Sequence, residues 1–159
     1  MVDAAAAIWS AVPTAAVKPT DEGSLAEEVN GSNVLADNGF LATPSDITPN
    51  ATGTPVAVIF DSDGSVIDAL ERVGASTPGN CALNGPLVWI DNMNPNATFA
   101  HGVIVLNGRC ASSASLLENM SYQLERAFGR ILGLDFSQVN DNAVNLAATE
   151  PNGKARPRS

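Results

Sequence analysis

Aromatic residues make up 5% of the 159-residue chain, histidine occurs once, cysteine twice, and eight bases face seventeen acids. The shortage of bases gives a net charge of −9. Three of the eight bases, Lys154, Arg156 and Arg158, stand in the last six residues, so the rest of the chain sets five bases against seventeen acids. Such a surface repels phosphate backbones and anionic lipid, which excludes nucleic acid and a membrane surface as partners. No apolar run approaches the ~20 residues of a membrane span. The start shows no basic n-region ahead of its short AAAAI stretch, so no signal peptide is visible in this chain. Two cysteines, Cys81 and Cys110, are too few for a disulfide framework, and their spacing matches no zinc knuckle. A single bridge in an oxidising compartment and two buried thiols both remain open.

Aliphatic residues and alanine are plentiful. A chain of this length buries roughly 70% of its unfolded surface, so a core needs no metal or disulfide to form. The length and tail composition predict one domain over 1–150 and a disordered basic tail over 151–159. Residues 4–11, AAAAIWSA, read as a short helix end, and 14–18 as a short strand. Residues 20–54, rich in Gly, Asn, Asp, Pro and Ser, read as loops with one or two short elements. PVAVIF (55–60), PLVWI (86–90) and HGVIVLNG (101–108) read as strands. Four N-x-[ST] sequons, at Asn30, Asn50, Asn96 and Asn119, carry meaning only in a eukaryotic secretory host. The last helix is the best marked: Ser115 and Glu118 form a capping box, and Gly133 is placed to end it. Leu117, Met120, Leu124, Phe128 and Ile131 recur at helical spacing as one buried stripe. Asn119, Gln123, Arg126 and Arg130 fall on the opposite face.

The stretch VIFDSDGSVID (58–68) supports three readings. It resembles the first motif of the haloacid dehalogenase superfamily, hhhhDxDG[TS]xxD. That resemblance implies a phosphatase in which Asp61 attacks a phosphoryl group and Asp63 is the acid/base, beside Mg²⁺. The mechanism also needs a downstream lysine, and the only one after Asp63 is Lys154. Asp61, Asp63, Ser65 and Asp68 are alternatively closely spaced oxygen ligands for a structural calcium, although the glycine falls at position four rather than the EF-hand's six. The third reading is a turn leading into a helix over 66–72, capped by Ser65 with Asp68 at the capping-box position and Gly74 beyond its end.

Residues 126–137 read RAFGRILGLDFS. This resembles the active-site helix of metzincin zinc peptidases, particularly matrixin-like bacterial ones, whose HExxHxxGxxH motif often appears as HExGHxLGLDHS. Gly129, Leu132, Gly133, Leu134, Asp135 and Ser137 fit in register, and Gln138, Val139 and Asn140 continue the likeness. AAAAIWSAVPTAAV, VIFDSDGSVIDAL and GVIVLNGR also look like segments of these proteins. The resemblance implies an α+β, zincin-like catalytic-domain fold: a small twisted mixed sheet packed against a long active-site helix.

It also implies where chemistry would sit. Two imidazoles at i and i+4 and a third beyond a glycine turn hold Zn²⁺, and a Glu beside the first is general base on the bound water. Here the ligand positions hold Arg126, Arg130 and Phe136, and the base position holds Ala127. Guanidinium has no lone pair for a metal, and phenyl and methyl groups take no part. The single histidine, His101, begins a strand and reads as an ordinary strand-edge residue.

The expectation is therefore a catalytically inactive matrixin-like homologue, a pseudopeptidase with no catalytic zinc. It would be extracellular by resemblance and would keep a groove for an extended peptide, held by strand addition near 101–108. An active zinc metallopeptidase with non-standard ligands and the Asp61/Asp63 phosphatase are the alternatives. The family's domain opens with a strand and a full helix and carries a methionine turn after the zinc helix. Neither is seen here, so the domain reads as truncated at both ends, with an unpaired sheet edge that favours self-association.

Overall fold

The structure is a computed structural model that describes residues 1–13, 18–42, 44–45, 55–81, 85–91, 101–112 and 114–134. Helix α1 (Val2–Ser10) is followed by a looped stretch and then by strand β1 (Val56–Asp61) and helix α2 (Ser65–Leu70). Strands β2 (Leu87–Asp91) and β3 (His101–Asn107) and helix α3 (Ala114–Ile131) complete the order, with short 3-10 turns at Pro78–Asn80 and Gly108–Cys110. The result is a small α+β domain with a mixed three-stranded sheet, which is the coarser part of what the resemblance implies.

The sheet order is β1-β3-β2. β3 runs parallel to β1, with Val58 opposite Ile104 and Asp61 opposite Asn107, and antiparallel to β2, with Val88 opposite Ile104. A strand covered on both faces needs side chains that are apolar throughout. β3 meets that requirement: every residue from His101 to Leu106 is buried. The predicted strand-edge role of His101 is therefore corrected, because the ring is buried at the start of the central strand. Pro55 lies just before β1, where its carbonyl accepts from the Gly102 amide.

Alternation along the strands divides the core into two layers. Ile104 and Leu106, with Val56, Val58 and Val88, face α1 and α3, where they meet Ala5, Trp9, Met120, Leu124, Ala127, Phe128 and Ile131. Val103 and Val105, with Ala57, Ile59, Leu87 and Trp89, face α2 and the 25–41 loops, where they meet Val34, Leu41, Val66, Ile67 and Ala75. Among the described residues between α1 and β1, Leu35 and Leu41 form an isolated antiparallel bridge, and the rest of that stretch is looped.

Helix α3 buries Met120, Leu124, Phe128 and Ile131 as its spacing predicts, but Leu117 is 43% exposed. The buried stripe continues through half-buried Leu116 instead, one turn before Met120, and takes in Ala127. Gly133 has φ +82°, the Leu134 amide donates to the Gly129 carbonyl, and the Gly133 amide donates to the Arg130 carbonyl. This is a Schellman termination, which the left-handed conformation at a glycine makes inexpensive. The predicted strand over 14–18 falls mostly outside the described residues, as do Phe136 and the 151–159 tail.

Candidate functional site

Two places gather the residues singled out by sequence. The first lies at the carboxyl ends of the parallel strands β1 and β3. Parallel pairing brings Asp61 level with Asn107, so the turn after each strand opens at the same end of the sheet. Crevices at such strand ends are where open α/β sheets carry ligands.

The carboxylates there are turned toward the chain's own amides. Asp61, only 3% exposed, accepts from the Ile67 amide at 2.8 Å. Asp63 accepts from the Ser65 amide at 2.9 Å. Asp68 accepts from the Gly74 amide at 3.0 Å and the Ser76 amide at 2.8 Å. The predicted capping box is thereby corrected. Gly64, at φ +82°, is the N-cap of α2, and the side chain that caps the helix is Asp61, reaching forward from the strand. Ser65 instead accepts from the Gly31 amide, and Asp68 closes the loop after the helix.

The electrostatics follow from these contacts. Burial raises the Asp61 pKa above the ordinary carboxylate range, against the opposing pull of the Ile67 and Val66 amides and with help from neighbouring Asp63. Asp63 is lowered, chiefly by the Ser65 amide. Asp68 is lowered by the Ser76 and Gly74 amides, and the Arg109 charge adds to the effect.

Three residues that sequence reasoning passed over complete the cluster. Ser76 is fully buried, and its hydroxyl accepts from Arg109 Nη1 at 3.2 Å. Its carbonyl accepts from Asn107 Nδ2 at 2.9 Å. Gly64 lies so close that an added Cβ would stand 2.1 Å from Ser76 Oγ. Asn107 ends β3 with Arg109 two residues on, as Asp61 ends β1 with Asp63 two residues on, so parallel pairing of the two strands is the signal that finds them. Nearby, Cys81 and Cys110 form a disulfide with 5.5 Å between Cα atoms, which decides the open question of the thiols.

Chemically, the cluster is a self-satisfied polar joint. Among the described residues no buried side-chain nitrogen or oxygen lacks a hydrogen-bond partner. Nor, among them, do three or more His, Cys, Asp or Glu side chains group so as to hold a metal ion. Asp61 stands where a phosphoryl nucleophile would, at a strand's carboxyl end, but its carboxylate is buried and engaged with the start of α2.

The second place is the outer face of α3. Arg126 and Arg130 are exposed, one turn apart, while Ala127 between them is buried in the core at 1% exposure. The α1 side of the helix is closed by Trp9, whose Nε1 donates to the Glu125 carbonyl at 2.8 Å. His101 stands on β3, away from the arginine positions in sequence and element. No described helix is long and apolar enough to cross a membrane.

Comparison with known proteins returns no matching family model, no matching curated protein and no matching solved structure. What the fold defines directly is the class: a small α+β domain with a mixed sheet, a buried central strand and a long last helix.

Proposed function

We propose that the chain is a catalytically inactive, metzincin-like domain, a matrixin-like pseudopeptidase that holds extended peptide and carries out no zinc chemistry. The observation that carries this reading is the pair Arg126 and Arg130, exposed one turn apart on α3 at the positions where the resemblance places two zinc-binding imidazoles. A guanidinium stays protonated at working pH and offers no lone pair, so the pair repels a dication. The chain's one histidine cannot replace three ligands.

The mixed sheet packed against a long last helix supports the fold reading at its coarser level. The Cys81–Cys110 bridge supports an oxidising, extracellular setting. Peptide capture by strand addition moves from the predicted site. β3 is flanked on both sides, so its backbone is already paired. Among the described residues β1 and β2 each pair only with β3, so the outer edges at Val56–Asp61 and Leu87–Asp91 are the ones open to an added peptide strand, and the antiparallel β2 is the one we favour.

Metal analysis of purified protein, alongside turnover of a fluorogenic peptide, tests the reading. The expected result is no stoichiometric zinc and no cleavage. One tightly held zinc per chain, with cleavage lost on chelation, overturns it in favour of an active peptidase. Mg²⁺-dependent phosphate release abolished by Asp61→Asn overturns it in favour of the phosphatase.

A further inference from the structure

We propose that α1 is a detachable plug: it leaves and re-enters the face of α3 over Gly129 as one unit while the sheet stays folded, and that face accepts the same helix from a second copy of the chain.

α1 is held at few points. Ala5 is its buried residue, Ala6 and Trp9 are half-buried, and all three lie in the core layer that α3 covers. Val2 and Ile8 face solvent. A nine-residue helix is marginal alone, so α1 depends on its dock to stay helical. The sheet is far better secured, with Ile104 and Val105 fully buried on a strand paired along both sides.

The tether leaves α1 free to move. Every described residue from Ala11 to Ser24 is exposed. Hydrogen bonds there are local, such as the Gly23 amide to the Asp21 carboxylate and the Thr20 hydroxyl to the Glu22 carboxylate. The chain first packs again at Leu25, against the other core layer. Fully extended, residues 11–24 reach about 45 Å. That spans to a neighbouring copy, since a domain of this size has a radius of gyration of about 15 Å.

The dock is shaped to an indole. A Cβ on Gly129 would meet Trp9 Cζ2 at 2.6 Å and Cη2 at 3.0 Å, so the ring lies on bare helix backbone. Trp9 Nε1 donates to the Glu125 carbonyl at 2.8 Å. Within α3 that carbonyl also receives the Gly129 amide by the helical pattern. Departure of α1 therefore breaks no bond of α3, and the indole N–H passes to water instead of being stranded. The other tryptophan, Trp89, is built into β2, so Trp9 on its tether is the one a second copy can offer.

Hydrogen exchange of the parent chain tests detachment. The Trp9 indole N–H and the α1 amides are expected to exchange together, about 100-fold faster than the amides of Val103 to Val105, and with little response to urea below the unfolding transition. An indole N–H as protected as β3 overturns the proposal. Exchange between copies is tested by anisotropy of a labelled peptide of residues 1–12. It is expected to bind the Trp9→Ala chain at least about tenfold more tightly than the parent, where the resident helix competes at an effective concentration of order millimolar. The same peptide carrying Trp9→Ala should bind neither. Equal binding to both chains, or none to the variant, overturns the exchange. Loss of the whole fold in Trp9→Ala, read by circular dichroism, shows that α1 is not separable and overturns the proposal outright.

Discussion

Trp9 fills the space that a side chain at position 129 would need. A Cβ on Gly129 would lie 2.6 Å from Trp9 Cζ2, and the indole donates to the Glu125 carbonyl in the same turn of α3. The α1–α3 contact is therefore a close approach that glycine makes possible. Gly129→Ala is expected to destabilise by about 1–3 kcal/mol, because overpacking outweighs the gain in helix propensity. The same substitution in a Trp9→Leu background should cost much less. Urea unfolding of the four proteins in this double-mutant cycle measures the coupling. Equal cost in both backgrounds would mean that the indole does not set the fit.

The Cys81–Cys110 bridge joins the loop after α2 to the turn that leads from β3 into α3, across 29 residues. Closing a loop of that size removes denatured-state entropy worth about 3–4 kcal/mol. Both cysteines lie within the α1/α3 core layer, so the bridge also fixes that layer's rim. Cys81→Ala/Cys110→Ala should lower unfolding stability by about that amount, as should reduction under denaturing conditions. A double variant as stable as the parent would show that the polar joint around Ser76 holds this end of the sheet without the bridge.

Much of this architecture is legible in the sequence, and the reasons differ by element. β1 and β3 carry near-continuous β-branched runs, so they declare themselves; β1 and β2 each lie one residue later than read, and β3 ends one residue earlier. Leu117 misleads because helical periodicity gives a stripe but not its phase against the sheet; the crossing of α3 selects Leu116 instead. The cap of α2 misleads because Ser65 has the right residue type, while Asp61, six residues before Ile67, reaches its amide from a strand end. Ser76 and Arg109 are invisible without the parallel pairing, since their relation is 33 residues long. Gly129 and Gly133, which carry the peptidase-like register, each have a local structural reason as well: the first admits Trp9 and the second ends α3.

Asp61 and Asp68 titrate with opposite consequences. Asp68 has a lowered folded-state pKa, so it contributes stability above the ordinary carboxylate value that is lost as pH falls through its folded value. Asp61 has a raised one, so its ionisation costs stability as pH rises from the ordinary value through the folded value. Asp68→Asn should therefore flatten the acid limb of the stability curve, and Asp61→Asn should steepen it while keeping an oxygen for the Ile67 amide. Urea midpoints between pH 2.5 and 6 read both slopes, on the scale of carboxylate titration. Steepening by Asp68→Asn would reverse the assignment of roles.

The same hydrogen bonds bear on calcium. Asp61, Asp63 and Asp68 each accept from a backbone amide, and the Ser65 hydroxyl accepts from Gly31. A hard cation here would share these carboxylates and this hydroxyl with the amides that already bond them. The melting midpoint is expected to stay within about 1 °C on addition of millimolar Ca²⁺, since a site occupied at that concentration would add linkage stability. A clear upward shift, lost in Asp63→Asn, would establish a calcium site at the β1–α2 turn.

Rebuilding the zinc site separates the peptidase-like scaffold from an ordinary helix. Any exposed helix given histidines at i and i+4 gains a modest two-ligand site, so Arg126→His/Arg130→His alone decides little. The third position does decide, because only a turn at Gly133 that brings residue 136 back beside the pair can add a ligand. The general-base change Ala127→Glu is best left out, since Ala127 is buried at 1% exposure and a carboxylate there would enter an apolar layer. Adding Phe136→His to the double variant should tighten zinc at least about tenfold at neutral pH, as a third imidazole completes a tetrahedral set with water. Competition titration with a zinc indicator gives both affinities, and circular dichroism confirms that the variants fold. Equal affinity for the folded double and triple variants would remove the metzincin reading and leave RAFGRILGLDFS as an amphipathic helix with a glycine stop.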